Sequence, residues 1–168
     1  MKETDIRSLD LNPISLIGDT WMLLTAGTKE GGYNTMTCSW GHLGSLWGCK
    51  MGTAVCYVRP QRYTKEFVDR EELYTLCFFP GYKKELAYLG RHSGRDGDKV
   101  AQTGLTPVFG EGYTYFAEAN LVLVCRKLYR APLKEEGFFY SETVEKNYPN
   151  RDFHDLYIGE IVKVLVSE

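Results

Sequence analysis

The 168-residue sequence contains no apolar run approaching the ~20 residues of a membrane-spanning helix. Its opening stretch, Met1-Lys2-Glu3-Thr4-Asp5-Ile6-Arg7, carries acidic groups and lacks the apolar segment of a secretory signal. A cytoplasmic protein without membrane contact is expected. Neither charge sign dominates: 20 Lys and Arg stand against 22 Asp and Glu, a formal net charge of −2. That balance excludes a broad basic surface for nucleic acid and an acidic disordered tail. Histidine is scarce, and His42, His92 and His154 show no metal-ligand spacing such as His-Glu-x-x-His, so no metal is expected. The five cysteines, Cys38, Cys49, Cys56, Cys77 and Cys125, are odd in number and include no Cys-x-x-Cys pair. Three of them sit among strand-like apolar residues, so reduced, mostly buried thiols are expected, not disulfides. A Walker loop, a Rossmann fingerprint and a Gly-x-Ser-x-Gly elbow are all missing, and Cys38 has no base partner in sequence. No catalytic residue is assigned on these grounds. Repeats, linkers and low-complexity tracts are absent as well, which leaves a single domain over residues 1–168 with a core at 13–166.

What the chain has in quantity is aromatic residues, with 3 Trp, 12 Tyr and 8 Phe. That abundance favours a β-rich fold with partly apolar, partly polar surfaces. Trp21 to Thr28 reads as a strand that turns at Lys29-Glu30-Gly31-Gly32 into Tyr33 to Thr37, a hairpin. Thr53 to Arg59 and Leu73 to Phe79 have the β-branched and aromatic enrichment of buried strands and end at Pro60 and Pro80. The longest strand candidates are Asn120 to Tyr129 and Leu156 to Val166, both apolar enough to be central. Short helices are predicted over Thr64 to Arg70, Lys83 to Leu89 and Ser141 to Tyr148, the last opened by a Ser141 cap and stopped before Pro149. Antiparallel strands with few helices argue for a barrel with helical excursions, although periodicity alone does not separate a barrel from a sandwich.

Four segments carry the polar chemistry. Asn34-Thr35-Met36-Thr37-Cys38-Ser39-Trp40 sets an amide, hydroxyls, a thiol and an indole together, which suits a planar heterocycle with polar edges but equally an ordinary strand end. In Arg59-Pro60-Gln61-Arg62-Tyr63-Thr64, Pro60 holds Arg59 extended and Thr64 is a candidate helix cap. Two guanidinium groups near a helix N-terminus make a phosphate site; solvated arginines on a turn are the other reading. Gly90-Arg91-His92-Ser93-Gly94-Arg95-Asp96-Gly97-Asp98-Lys99 is either an anion-binding nest or a flexible surface loop. His154, at the start of the last strand, reaches a ligand or bonds a neighbouring carbonyl.

The order of these segments resembles the flavin reductase-like family, the FMN-binding split barrels that include flavoredoxin. The resemblance rests on Asn34 to Trp40, Arg59 to Thr64, Ser93-Gly94-Arg95-Asp96-Gly97-Asp98-Lys99 and His154-Asp155-Leu156-Tyr157-Ile158-Gly159-Glu160. It implies a mainly β fold, a six-stranded split β-barrel of Greek-key character with a few short helices. It also implies a homodimer that binds FMN non-covalently near the subunit interface. Carried over by position, Asn34, Thr35, Met36, Thr37, Cys38, Ser39 and Trp40 line the isoalloxazine and ribityl chain. Arg59, Arg62, Tyr63 and Thr64 belong to the phosphate end or its surroundings, and Ser93, Gly94, Lys99 and His154 match further family elements. The expected activity is an NAD(P)H-dependent reduction of flavin or another small acceptor. A flavoredoxin-type carrier reduced by a protein partner is the alternative, and a flavin-free binding module the third reading. Two stretches depart from the family: glycine-rich Gly41 to Gly48, where many members have a proline-bearing loop, and a variable insertion over residues 130–152.

Overall fold

The computed structural model describes residues 1–167. In chain order the elements are β1 (Lys2–Thr4), α1 (Pro13–Ser15), β2 (Met22–Thr28), β3 (Gly32–Cys38), β4 (Gly41–Gly44), β5 (Thr53–Val58), α2 (Thr64–Arg70) and β6 (Leu73–Phe78). They continue with α3 (Lys83–Arg91), β7 (Pro107–Phe109), β8 (Thr114–Phe116), β9 (Leu121–Pro132), α4 (Ser141–Asn147) and β10 (Asp155–Val166). The strands and helices read from periodicity all form, with ends moved by a few residues. Two expectations of detail fail. Tyr63, not Thr64, occupies the cap position of α2, and Tyr140 precedes α4, and neither helix has a side-chain cap.

The main sheet follows the path β3-β2-β6-β9-β10-β5-β4, with β1 added beside β10, and every pairing in it is antiparallel. The six strands implied by the family are exceeded because Gly41–Gly44, read as part of a loop, pairs with Thr53–Cys56, and Lys2–Thr4 pairs with Val164–Val166. β3 and β4 lie at opposite ends of this path, yet only Ser39 and Trp40 separate them in the chain. The sheet must therefore curl until its two edges meet at that dipeptide, which leaves a barrel open along one seam. Register shifts at Ile158/Gly159 and Ile161/Lys163 in β10 supply local bending of the kind a curled sheet needs.

Alternation along the strands divides the apolar residues between two cores. One face holds Met22, Leu24, Met36, Cys38, Ala54, Cys56, Tyr74, Leu76, Cys125 and Tyr157, the barrel interior, to which α2 adds Phe67 and Val68. The other face of β2, β6 and β9 contributes Leu23, Cys77, Val122 and Val124, packed against Leu86 and Leu89 of α3 and Tyr113 and Phe116 around the β7–β8 hairpin. Burial on both faces is why these strands read as nearly unbroken apolar runs. Gly159 is needed inside: a Cβ there would overlap the hydroxyl of Tyr74 and lie 2.9 Å from Cys125 Cβ. All five cysteines are free thiols and four are buried, as expected from their apolar neighbours.

Candidate functional site

Two cavities meet at the Ser39–Trp40 seam. A polar pocket of about 220 Å³ is lined by Met36 through Trp40 together with Tyr57, Arg59, Arg62 and His154. On one side it shares Ser39, Trp40 and Tyr57 with an apolar groove of about 650 Å³, whose other walls include Ile17, His42, Leu133 and Tyr148. A third cavity of about 430 Å³ is lined by Asn34, Tyr63, Gly94 and Lys99, among others. Successive parts of β3 and the seam thus serve all three: Asn34 the third, Met36 to Cys38 the polar pocket, and Ser39 and Trp40 the pocket and the groove.

Each cation predicted for the site is held differently. Arg59 shares the face of β5 that carries Tyr57, since residues two apart point the same way. Its guanidinium forms an ion pair with Asp152 at 2.5 Å and donates to the carbonyl of Asn147 at 2.8 Å, and it lies 5.2 Å from the Tyr148 ring centroid. It is neither a solvated turn residue nor an unopposed phosphate ligand, because a carboxylate from the 130–152 stretch faces it. Arg62 donates to the carbonyl of Gly90 at 2.9 Å. Lys99 is 7% exposed, and its Nζ donates to the carbonyls of Leu89 and His92 at 2.9 and 3.0 Å. Both side chains thereby satisfy carbonyls at the C-terminus of α3, where the helix dipole favours cations. Among the described residues neither forms an ion pair, whereas Arg59 and Arg95 each do. Burial, and then the charge of Arg62, lower the pKa of Lys99 to about 8.

Arg62 is close enough to act on three groups of the site. Its charge also counters the effect of burial on Cys38, whose thiol is nonetheless pushed up to about 12, and it adds to the forces on His154. Cys38 is therefore a neutral, buried thiol and not a nucleophile. His154 is 8% exposed, and burial, with Arg59 and Arg62 adding to it and Asp152 opposing, brings its pKa down to about 4. Its Nδ1 lies 2.9 Å from the hydroxyl of Tyr148.

The remaining predicted residues divide into lining and fastening roles. Met36, Ser39 and Trp40 line cavities, and Trp40 is 45% exposed with its ring 5.2 Å from that of His154. Thr37 lines the polar pocket while its hydroxyl donates to Leu86 of α3. Thr35 stands apart: fully buried, it bonds the Thr25 hydroxyl at 2.8 Å and the Leu24 carbonyl at 3.2 Å, and it lines none of the three cavities. The hydroxyl of Thr64 accepts from Asn34 at 2.8 Å, tying α2 to β3. Gly94 is packed so closely that a Cβ would overlap Asn34 Oδ1 and come within 3.2 Å of the Tyr63 ring. Ser93 accepts from the backbone of Arg95, whose guanidinium lies 4.6 Å from the Tyr63 ring centroid. The Gly90–Lys99 stretch is accordingly a fastened turn at one end and a buried cation at the other.

Tyr57, His42, Tyr148 and Asp152 were not among the residues singled out from sequence. Period-2 reading of β5 marks Tyr57, whose side chain leaves the face opposite buried Cys56. Nothing local marks Tyr148 or Asp152, which arrive from a stretch far along the chain.

An antiparallel sheet curled into a barrel, open along one seam and carrying its cavities there, is a split β-barrel. A model of the flavin reductase like domain matches residues 15–168, and the chain belongs to that family. Solved structures agree at the level of the fold. An FMN-binding protein from Thermus thermophilus with bound p-hydroxybenzaldehyde superposes with a TM-score of 0.67 at 21% identity, covering 89% of this chain and 72% of that one. Flavoredoxin from Methanosarcina acetivorans gives 0.65 at 23% identity, covering 89% and 69%. A Streptomyces globisporus NADH:FAD oxidoreductase in complex with NAD and FAD fragments gives 0.63 at 16%, covering 88% and 74%. The search of curated proteins returned no match.

Proposed function

We propose that this chain is an FMN-dependent oxidoreductase that takes electrons from NAD(P)H and reduces flavin or another small acceptor. The observation that carries the flavin reading is the meeting, at Ser39–Trp40, of an apolar aromatic groove with a polar pocket lined by Arg62, a cation that forms no ion pair among the described residues. A flavin nucleotide has the same succession of properties: a flat ring system, a hydroxylated chain and a phosphate. The residues present fit it. Trp40 and Tyr57 offer aromatic surface, Thr37 and Ser39 hydroxyls, and Arg62 and Lys99 positive charge. Lys99 in particular is a buried cation whose hydrogen bonds among the described residues go to carbonyl dipoles, an arrangement that a bound phosphate would stabilise. Bound flavin would supply the electron transfer that no side chain of this site provides. The chain's part is to seat the phosphate, flank the ring and exclude water from it. Support for a nicotinamide donor comes from the family and from the NADH:FAD oxidoreductase among its structural neighbours.

The same reading includes a homodimer. Trp47 is 63% and Tyr129 48% exposed, with ring centroids 6.4 Å apart, and Leu46 and Leu128 beside them in the chain are exposed as well. Apolar surface of this kind is usual at a subunit contact. The deciding experiment is spectroscopic. Purified protein should be yellow or take up added FMN, and anaerobic NADH or NADPH should bleach it. A colourless chain that cannot take up FMN would remove the flavin reading. Bleaching by dithionite but by neither nicotinamide would replace the reductase with a carrier served by another protein.

A further inference from the structure

The imidazole of His154 is held more tightly than a residue of a ligand pocket needs if it only fills space. Three rings surround it, those of Trp40 at 5.2 Å, Tyr148 at 5.5 Å and Tyr57 at 6.4 Å, the latter two edge-on. Its own backbone carbonyl accepts from Leu133 at 2.8 Å. The Tyr148 hydroxyl and Nδ1 are 2.9 Å apart, and among the described residues that is the one hydrogen bond either group makes. Nε2 has no partner, yet it is not among the sealed, unsatisfied atoms, so it opens on the polar pocket that His154 lines.

The direction of this bond follows from what each group can do. A phenol hydrogen needs an acceptor, and Nδ1 is the acceptor within reach. If Nδ1 carried the proton, the phenol hydrogen would have no partner inside the cluster. The neighbouring Arg59 guanidinium, 5.2 Å from the Tyr148 ring centroid, also favours a phenol that donates. We propose that Tyr148 is a positioning residue: its hydroxyl holds His154 as the neutral Nε2–H tautomer and so presents a fixed N–H donor to the ligand of the polar pocket. The charged groups facing the imidazole agree with a neutral ring at physiological pH, since Arg59 and Arg62 repel a proton and Asp152 alone attracts one. The stretch read from sequence as a variable insertion thus sets the hydrogen-bonding character of the site through one phenol.

The claim about the ligand rests on the flavin reading, but the claim about the tautomer does not, and the two are tested apart. In ligand-free protein with 15N-labelled histidine, the Nε2 of His154 should show the shift of a protonated ring nitrogen and Nδ1 that of an acceptor. Tyr148→Phe keeps the ring packing and should convert this to a mixture of tautomers. A wild-type Nδ1–H tautomer, or an unchanged pattern in Tyr148→Phe, would overturn the proposal. The donor role is read from FMN titrations. His154→Gln, whose amide N–H can stand near Nε2, should bind within about threefold of wild type, and His154→Leu about tenfold more weakly. Equal affinities for Gln and Leu would overturn the donor role. A wild-type protein with no affinity for FMN would sink the flavin reading, and the nitrogen shifts would still decide the role of Tyr148.

Discussion

Lys99 shows what one buried charge does to a site. Its folded-state pKa of about 8 lies below the ordinary lysine value of about 10.4. Between those values the unfolded chain binds more protons than the folded one, so this group's contribution to stability rises as pH rises through the window. At neutral pH the folded state therefore carries a cation it holds at a cost, and in the proposed function the phosphate of the flavin would offset that cost. FMN affinity, measured by fluorescence titration, should be level from pH 6.5 to 7.5 and fall as pH passes about 8. Lys99→Met should bind about 10- to 100-fold more weakly at pH 7 and lose that dependence. His154 gives the complementary acid-side effect. Its pKa of about 4 lies below the ordinary histidine value of about 6.5, so the unfolded chain gains the proton first as pH falls. Stability should drop between pH 6.5 and 4 by up to about 3 kcal/mol from this residue. Urea denaturation at pH 7, 5.5 and 4.5 checks this, with a shallower decline expected for His154→Gln.

At the scale of elements, β3 is held to its surroundings by side chains that were expected to touch a ligand. Asn34 ties it to α2 and crowds Gly94, and Thr37 ties it to α3. Gly94→Ala must push the Ser93–Gly94 turn away from Asn34 and Tyr63. A loss of about 1–3 kcal/mol is expected, seen as a lowered thermal midpoint, together with weaker FMN binding. The strands themselves were legible because burial of both faces of β2, β6 and β9 forces apolar runs. β4 was not, since Gly41-His42-Leu43-Gly44 lacks β-branched residues and forms because β5 offers it a paired edge. A Cβ at Gly41 would lie 2.7 Å from the Val55 carbonyl, so the glycine that disguises the strand also permits the pairing. The cap of α2 differs from the local pattern for a similar reason. Thr64 has the right chemistry for a cap, but its hydroxyl is taken by Asn34 from another element.

For the whole molecule, the decisive feature is that two consecutive strands stand at opposite edges of one sheet. That topology places Ser39 and Trp40 on the seam and opens the cavities there. It also leaves a face with Trp47 and Tyr129 exposed. Analytical ultracentrifugation should show a dimer, and Trp47→Glu combined with Tyr129→Glu should shift it towards monomer with the fold retained by circular dichroism. A wild-type monomer at tens of micromolar would remove the dimer from the proposed function.

The sequence by itself determined the β-rich class, six of the ten strands and three of the four α-helices among the described residues, the buried reduced thiols and the order of polar segments in which the family resemblance lies. These follow from local alternation and from side-chain chemistry, which act over a few residues. Only the tertiary structure decided which partner each polar group takes. Arg59 faces Asp152, Lys99 and Arg62 satisfy the end of α3, and Tyr148 meets His154. A hydrogen bond is made or lost within about half an ångström. Such contacts depend on how distant segments pack, and no pattern along the chain encodes that.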